Sequence, residues 1–312
     1  MKGTRIAVVA ILAICILLCV QSVGAMTIKL APFAGSDSKA SASVASVNDN
    51  YPLSVDQAKD SIRAFAGDLS LDPVLTYTGS MEIGNYYYFT TDDATFSVNQ
   101  NSGVVEFAHF GANEPNSTEL TLTHDEALAK ANEYAGSKYA DYSTRTWKTI
   151  ADQIDTGYDW VYNPSTGHWD RVETQKTYNF VFREEKEHVL LPNLVHVSVN
   201  PKTGAIIDYW GVDRLITVSN LKSTVSLGTA TKTAEDAVYS EFTTTSSEGY
   251  LAVVTQYQNV ETLAWVLKLH GHFSWDPDYE STYEVVVSAD DGSMLGYGWD
   301  NIWPEHQLYY YS

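Results

Sequence analysis

The 312-residue chain is long enough for two or three domains, each able to close a core of its own. Its 19 basic residues stand against 39 acidic ones, a net charge of −20. That sign speaks against nucleic acid and anionic membrane surfaces as partners, because both would be repelled, and it suits a soluble, exposed protein.

At the N-terminus Lys2 and Arg5 precede an uncharged apolar run over residues 6–20, and Val23 and Ala25 hold small-residue positions just beyond it. Basic, then apolar, then small-x-small is the order of a secretory signal peptide, predicted here over residues 1–25. The run has 15 residues, whereas a bilayer-spanning helix takes about 20, so an uncleaved membrane anchor is the alternative. Both cysteines, Cys15 and Cys19, lie in this leader, and Leu18 stands where a lipoprotein site needs a small residue. The exported part is therefore expected to lack disulfides and thiolate metal sites and to be held by its core. Loss of Lys2 and Arg5 with the leader leaves 17 basic and 39 acidic residues, a net charge of −22.

Residues 34–49 are rich in Ser, Ala and Asp and show no hydrophobic periodicity, so 26–50 is expected to be a disordered tether. Two stretches 69 residues apart, LSVDQAKDSIRAFAG (53–67) and LTHDEALAKANEYAG (122–136), then match at Leu53/Leu122, Asp56/Asp125, Ala58/Ala127, Ala66/Ala135 and Gly67/Gly136. Each predicts a helix opened by a capping box, Ser54 with Gln57 and Thr123 with Glu126, and each is expected to stop at a left-handed Gly. A third helix is predicted to start at Thr233, with Asp236 three residues on.

Aromatic and β-branched strands follow each helix, and each set reaches a related turn: Asn99–Gly103, Asn200–Gly204 and Ser288–Gly292. In each, a short polar side chain closes the turn on the backbone and Gly supplies positive φ for the returning strand. The organisation predicted is α+β, with tandem modules at 51–111, 119–219 and 226–303, each a helix packed on an antiparallel sheet, and a tail at 304–312. The second module carries a Trp/Tyr-rich insertion at 137–176. Asn116, in the sequon Asn116-Ser117-Thr118 between the first two modules, is a candidate for glycosylation.

Three segments carry a family resemblance. They are YNFVFR (178–183) with VHVSVNPKTGAIIDYWG (195–211), LAWVLKL (263–269) with YEVVVSADDGSMLGYGW (283–299), and, more loosely, FSVNQNSGVVEF (96–107). The chain here resembles the PepSY family and its relatives with YcdB/YcdC-type repeats, over most of 51–303. The resemblance implies a PepSY/cystatin-like fold in an exported protein. It also implies the kind of module found in propeptides of thermolysin-like metallopeptidases, where it inhibits or assists the peptidase. No H-E-x-x-H helix follows here, so any such action would be in trans, and the family shares no catalytic residues.

His270 and His272 place two imidazoles on one strand face but lack a third ligand at a telling spacing. Asp276, Asp278 and Glu280 are expected to form an acidic loop after Trp275, and Asp290 and Asp291 an acidic turn, neither matching an EF-hand calcium loop. G-x-S-x-G, P-loop and G-x-G-x-x-G patterns are absent, so no catalytic, cofactor-binding or metal residue is assigned. The insertion YDWVYNPSTGHWD (158–170) has a hairpin turn at 163–167 flanked by Trp160, Tyr162 and Trp169, a candidate interaction surface. The expected function is that of a non-enzymatic, secreted or envelope-exposed protein-interaction module acting on a peptidase or another envelope protein. A surface protein binding glycans or cations, or an enzyme of unrecognised type, is the alternative.

Overall fold

The computed structural model describes residues 53–81, 84–255 and 260–299. The predicted leader, the tether, both cysteines and the tail at 304–312 lie outside the described residues. Three helices occur among the described residues: α1 (Val55–Ala66), α2 (His124–Lys138) and α3 (Leu227–Ala237). None is long and apolar enough to cross a membrane.

The helices form for local reasons. Ser54 and Thr123 each accept from the backbone N–H three residues on, while Gln57 and Glu126 reach back to the cap residue. Each cap is worth about 1 kcal/mol. Gly67 ends α1 in the left-handed region, as the sequence implies. The second helix differs: Gly136 stays helical, and α2 runs on until Tyr139 turns extended. The third helix starts seven residues earlier than Thr233, at Ser226, whose side chain accepts from the Thr229 N–H. A buried alanine lies four residues after each cap, at Ala58, Ala127 and Ala230. With no side chain beyond Cβ, it lets the helix lie close on the sheet.

The strands are β1 (Val74–Met81), β2 (Gly84–Thr90), β3 (Ala94–Asn99), β4 (Val105–Phe110), β5 (Trp147–Asn163), β6 (His168–Lys186), β7 (Val189–Val199) and β8 (Ile206–Val212). They continue with β9 (Phe242–Thr255), β10 (Glu261–Phe273), β11 (Asp276–Ser288) and β12 (Met294–Trp299). All twelve join one mixed sheet. An antiparallel run β1-β2-β3-β4-β8-β7-β6-β5 is joined to the run β9-β10-β11-β12 by two parallel pairs, Val189 with Leu251 and Leu190 with Ala252.

This corrects the expectation of tandem modules, each a helix on its own antiparallel sheet. Phe107, Ala108 and His109 of β4 pair with Trp210, Tyr209 and Asp208 of β8, so the sheet passes without a break across the expected first boundary. The core is shared as well: α1 and α2 rest on one cluster, in which Tyr209 touches both Phe65 and Tyr134. Lys138 Nζ also donates to the Phe65 carbonyl at 2.6 Å. The physical reason is that unpaired strand edges leave backbone donors and acceptors unsatisfied, and joining two edges pairs them.

The three turns do share one local geometry. Gly103, Gly204 and Gly292 sit at φ of 72°, 74° and 76°, and each donates its N–H to the carbonyl of Asn99, Asn200 or Ser288. The side chains of these three accept from the two following backbone N–H groups that close the turn. Next to each turn, the residue before the helix cap (Leu53, Leu122 or Val225) donates to the carbonyl of Gln100, Pro201 or Ala289. Each returning strand then carries one bulged residue, at Glu106, Ile207 and Leu295.

Candidate functional site

The long β5–β6 hairpin outruns the sheet. β6 pairs with β7 only from Tyr178 onward, so residues 155–163 and 168–177 continue as a two-stranded ribbon. Its tip is the turn read from Asn163-Pro164-Ser165-Thr166-Gly167. Gly167 takes φ +73° and donates to the Asn163 carbonyl at 2.9 Å, and the Asn163 side chain accepts from the Ser165 N–H. Asn163 Nδ2 donates across the ribbon to Asp170 Oδ2 at 2.8 Å, which fixes the register.

That register sorts the side chains. Directly opposed residues share a face, and Tyr158 opposes Glu173, Trp160 opposes Arg171, and Tyr162 opposes Trp169. All four aromatics of the ribbon therefore stand on one face, and Asp159, Val161, Asp170 and Val172 on the other. The Arg171 guanidinium lies 3.5 Å from the Tyr158 ring centroid, and the Tyr162 and Trp169 rings meet edge-on at 5.5 Å. Trp160 and Trp169 are 64% and 62% exposed, so these rings cover no core of their own. Rigid aromatics beside an Arg are the residues that most often carry binding energy at protein interfaces.

The other sequence candidates are placed apart from it. His270 is engaged by Thr282 Oγ1 at 3.0 Å, with Glu248 at 3.8 Å. Asp276, Asp278 and Glu280 open strand β11 instead of forming a loop, next to the exposed rings of Trp275 and Tyr279. Among the described residues no three His, Cys, Asp or Glu side chains gather as a metal site would require. Asn116 is exposed, at the mouth of a cavity of about 280 Å³ lined by Glu114, Ser117, Asn200 and Lys202.

Sequence reasoning missed the buried polar groups. Glu106 accepts from Tyr86 Oη at 2.6 Å and from Asn99 Nδ2 at 2.9 Å, and burial pushes its carboxyl up to about 7 against both hydrogen bonds. A polar row, buried only at Ser198 and Asn179, runs in register across five strands: His109, Asp208, Ser198, Asn179 and Gln153. His109 Nδ1 meets Asp208 Oδ1 at 2.7 Å, Ser198 Oγ donates to Asn179 Oδ1 at 2.6 Å, and Asn179 Nδ2 donates to Asp155 Oδ2 at 2.6 Å. His196 Nε2 lies 3.3 Å from Ser198 Oγ, but the hydroxyl is buried and already directed at Asn179. An activated nucleophile needs a base in that direction and room for a substrate. The available signal was alternation, with Asn179, His196 and Ser198 standing between apolar neighbours in their strands.

Among the described residues the geometry defines a protein built on one large mixed sheet of twelve strands, with three helices and an aromatic ribbon projecting from the sheet. No family model matches the chain, and no curated protein matches it. Among solved structures it is similar to the Bacillus megaterium YpeB C-terminal domain, at 18% identity and a TM-score of 0.46, over 81% of this chain and 100% of that one.

Proposed function

We propose that this chain is an exported, PepSY-like protein-interaction module without catalysis of its own, and that the aromatic face of the β5–β6 ribbon is its contact surface. The observation that carries the reading is the placement of Tyr158, Trp160, Tyr162 and Trp169 on one exposed face beyond the sheet. Soluble proteins seldom expose contiguous apolar surface without a use for it. The export pattern of residues 1–25 and the segments at 178–211 and 263–299 support the exported, PepSY-like part of the reading. The partner class is a secreted peptidase or another envelope protein, acted on in trans.

The test is to add the full chain to a secreted metallopeptidase from the same host and follow activity and maturation. The intact chain should change one or the other, and the double variant Trp160→Ala/Trp169→Ala should not, while keeping the intact chain's thermal unfolding. No effect on peptidases, together with no envelope protein retained on the immobilised chain, would overturn the reading. Flat exposed rings beside Arg171 also suit sugar stacking, so retention on a glycan column that both Trp substitutions abolish would favour a glycan-binding surface protein.

A further inference from the structure

β12, the last strand among the described residues, occupies the place in its turn-and-bulge unit that β4 and β8 occupy in theirs, and those two strands pair with each other. Counted from the turn glycines Gly103 and Gly204, the β4–β8 pairs match the fourth residue with the sixth, the fifth with the fifth, and the sixth with the fourth. The pairing thus has a local two-fold axis through Ala108 and Tyr209. An edge of this shape is complementary to another copy of itself.

In β12 the fifth residue after Gly292 is Tyr297. Its ring stacks on Tyr283 at 6.0 Å, on the side of the sheet that α3 covers, just as Tyr209 lies on the side covered by α1 and α2. The difference is in cover. Tyr209 is 1% exposed, covered by Tyr134 of α2 and, across the β4–β8 seam, by Phe65, whereas Tyr297 is 49% exposed. Met294 is 44% exposed, although Val105, two residues after its own turn glycine like Met294, is 4% exposed. Among the described residues β12 has one strand neighbour, β11, and no residue from 294 to 299 is charged. Charge is a common means of keeping an edge strand from pairing, and this edge has none.

We infer that β12 is a homodimer edge: two copies of this chain join antiparallel through β12, with Tyr297 facing Tyr297 of the other copy across a two-fold axis. The intrachain β4–β8 seam is its template. Such an interface is isologous, so each copy contributes the same surface and assembly stops at two.

Sedimentation of the full chain tests this, with a mass of two chains expected. Tyr297→Lys sets two ammonium groups against each other at the axis and should weaken the dimer at least about tenfold, leaving the monomer's circular dichroism unchanged. A second readout does not depend on affinity. Residues facing each other in an antiparallel pair have Cα atoms about 4.5–5.5 Å apart, within reach of a disulfide. With Cys15 and Cys19 replaced by Ser, Tyr297→Cys should therefore oxidise to a covalent dimer, while Tyr77→Cys, exposed on the opposite edge strand β1, should not. A monomeric chain in which Tyr297→Cys fails to cross-link would overturn the inference. A dimer indifferent to Tyr297→Lys would do the same, as would a monomer that dimerises only after removal of residues 300–312, since that segment would then be the edge's occupant.

Discussion

The Tyr86 hydroxyl donates to Glu106 Oε2 across 2.6 Å, joining a phenol and a carboxyl that are 1% and 6% exposed beneath the first half of the sheet. Asn99, the side chain that also closes the first turn, supplies the second donor to the same carboxyl. A glutamate so deep is stable in its neutral form, and this has a consequence for pH.

Burial raises the folded Glu106 carboxyl to about 7, above the value it takes when unfolded. Its stabilisation is then fully present below the unfolded value near 4.5 and is lost as pH rises through about 7, a change of roughly 3 kcal/mol. Glu106→Gln can still accept from Asn99 and can donate to the Tyr86 oxygen. Urea unfolding from pH 4.5 to 8 should show the wild-type stability falling across this window and the variant's curve flattened.

His109 works in the same direction. The hydrogen bond to Asp208 holds its imidazolium above the usual histidine range, with Glu114 adding to it at 3.5 Å. A raised folded pKa means that the stabilisation is complete below the unfolded value and fades as pH climbs through the folded one. Because the pair ties β4 to β8, His109→Gln should lower stability at pH 6 and change it little at pH 9. An NMR titration of the His109 ring should place its midpoint above that of a free histidine.

The start of α3 gives a direct mutational contrast. Ser226→Ala removes the cap and should cost about 1 kcal/mol. Thr233 lies inside the helix with its hydroxyl on the Thr229 carbonyl, so Thr233→Ala should change stability by about 0.5 kcal/mol or less, toward stabilisation. Thermal unfolding of the two variants separates the starts.

Two left-handed glycines should differ in the same way. A Cβ on Gly67 would meet open space, so Gly67→Ala should cost about 1 kcal/mol from backbone strain alone. On Gly204 the exposed Lys130 side chain, 2.6 Å away at Cε, can swing aside, but Leu122 Cδ2 at 3.1 Å must also give, so Gly204→Ala should cost roughly 1.5 kcal/mol. Paired denaturant curves measure the gap.

These contrasts show which parts of the molecule were legible in the sequence. Capping boxes and turns involve partners three or four residues apart, so Ser54, Thr123, Asn99 and Asn200 could be read without knowing the fold. The tip at 163–167 was legible for the same reason. The α3 start was not: Gly228 and three threonines are weak helix formers, and the packing of Ala230 and Ala234 on the sheet outweighs them. Gly136 read as a stop, yet the helix continues through it. In β4, alternation alone would set Glu106 opposite the core-facing Val105 and so toward solvent. The bulge at that residue and the Tyr86 ring enclose it instead.

What the sequence by itself determined is therefore local: two of the helix starts, three turns, the hairpin tip and the aromatic residues around it. Tertiary structure decided that β4 meets β8 about a hundred residues away, that one sheet replaces three, and that four rings share a face clear of any core. Strand edges look alike in sequence, since every backbone offers the same donors and acceptors. Which edge pairs with which is settled only when the cores that flank them close together, as Tyr209 does with Phe65. Among the described residues no such closure occurs at Tyr297, which stays half exposed.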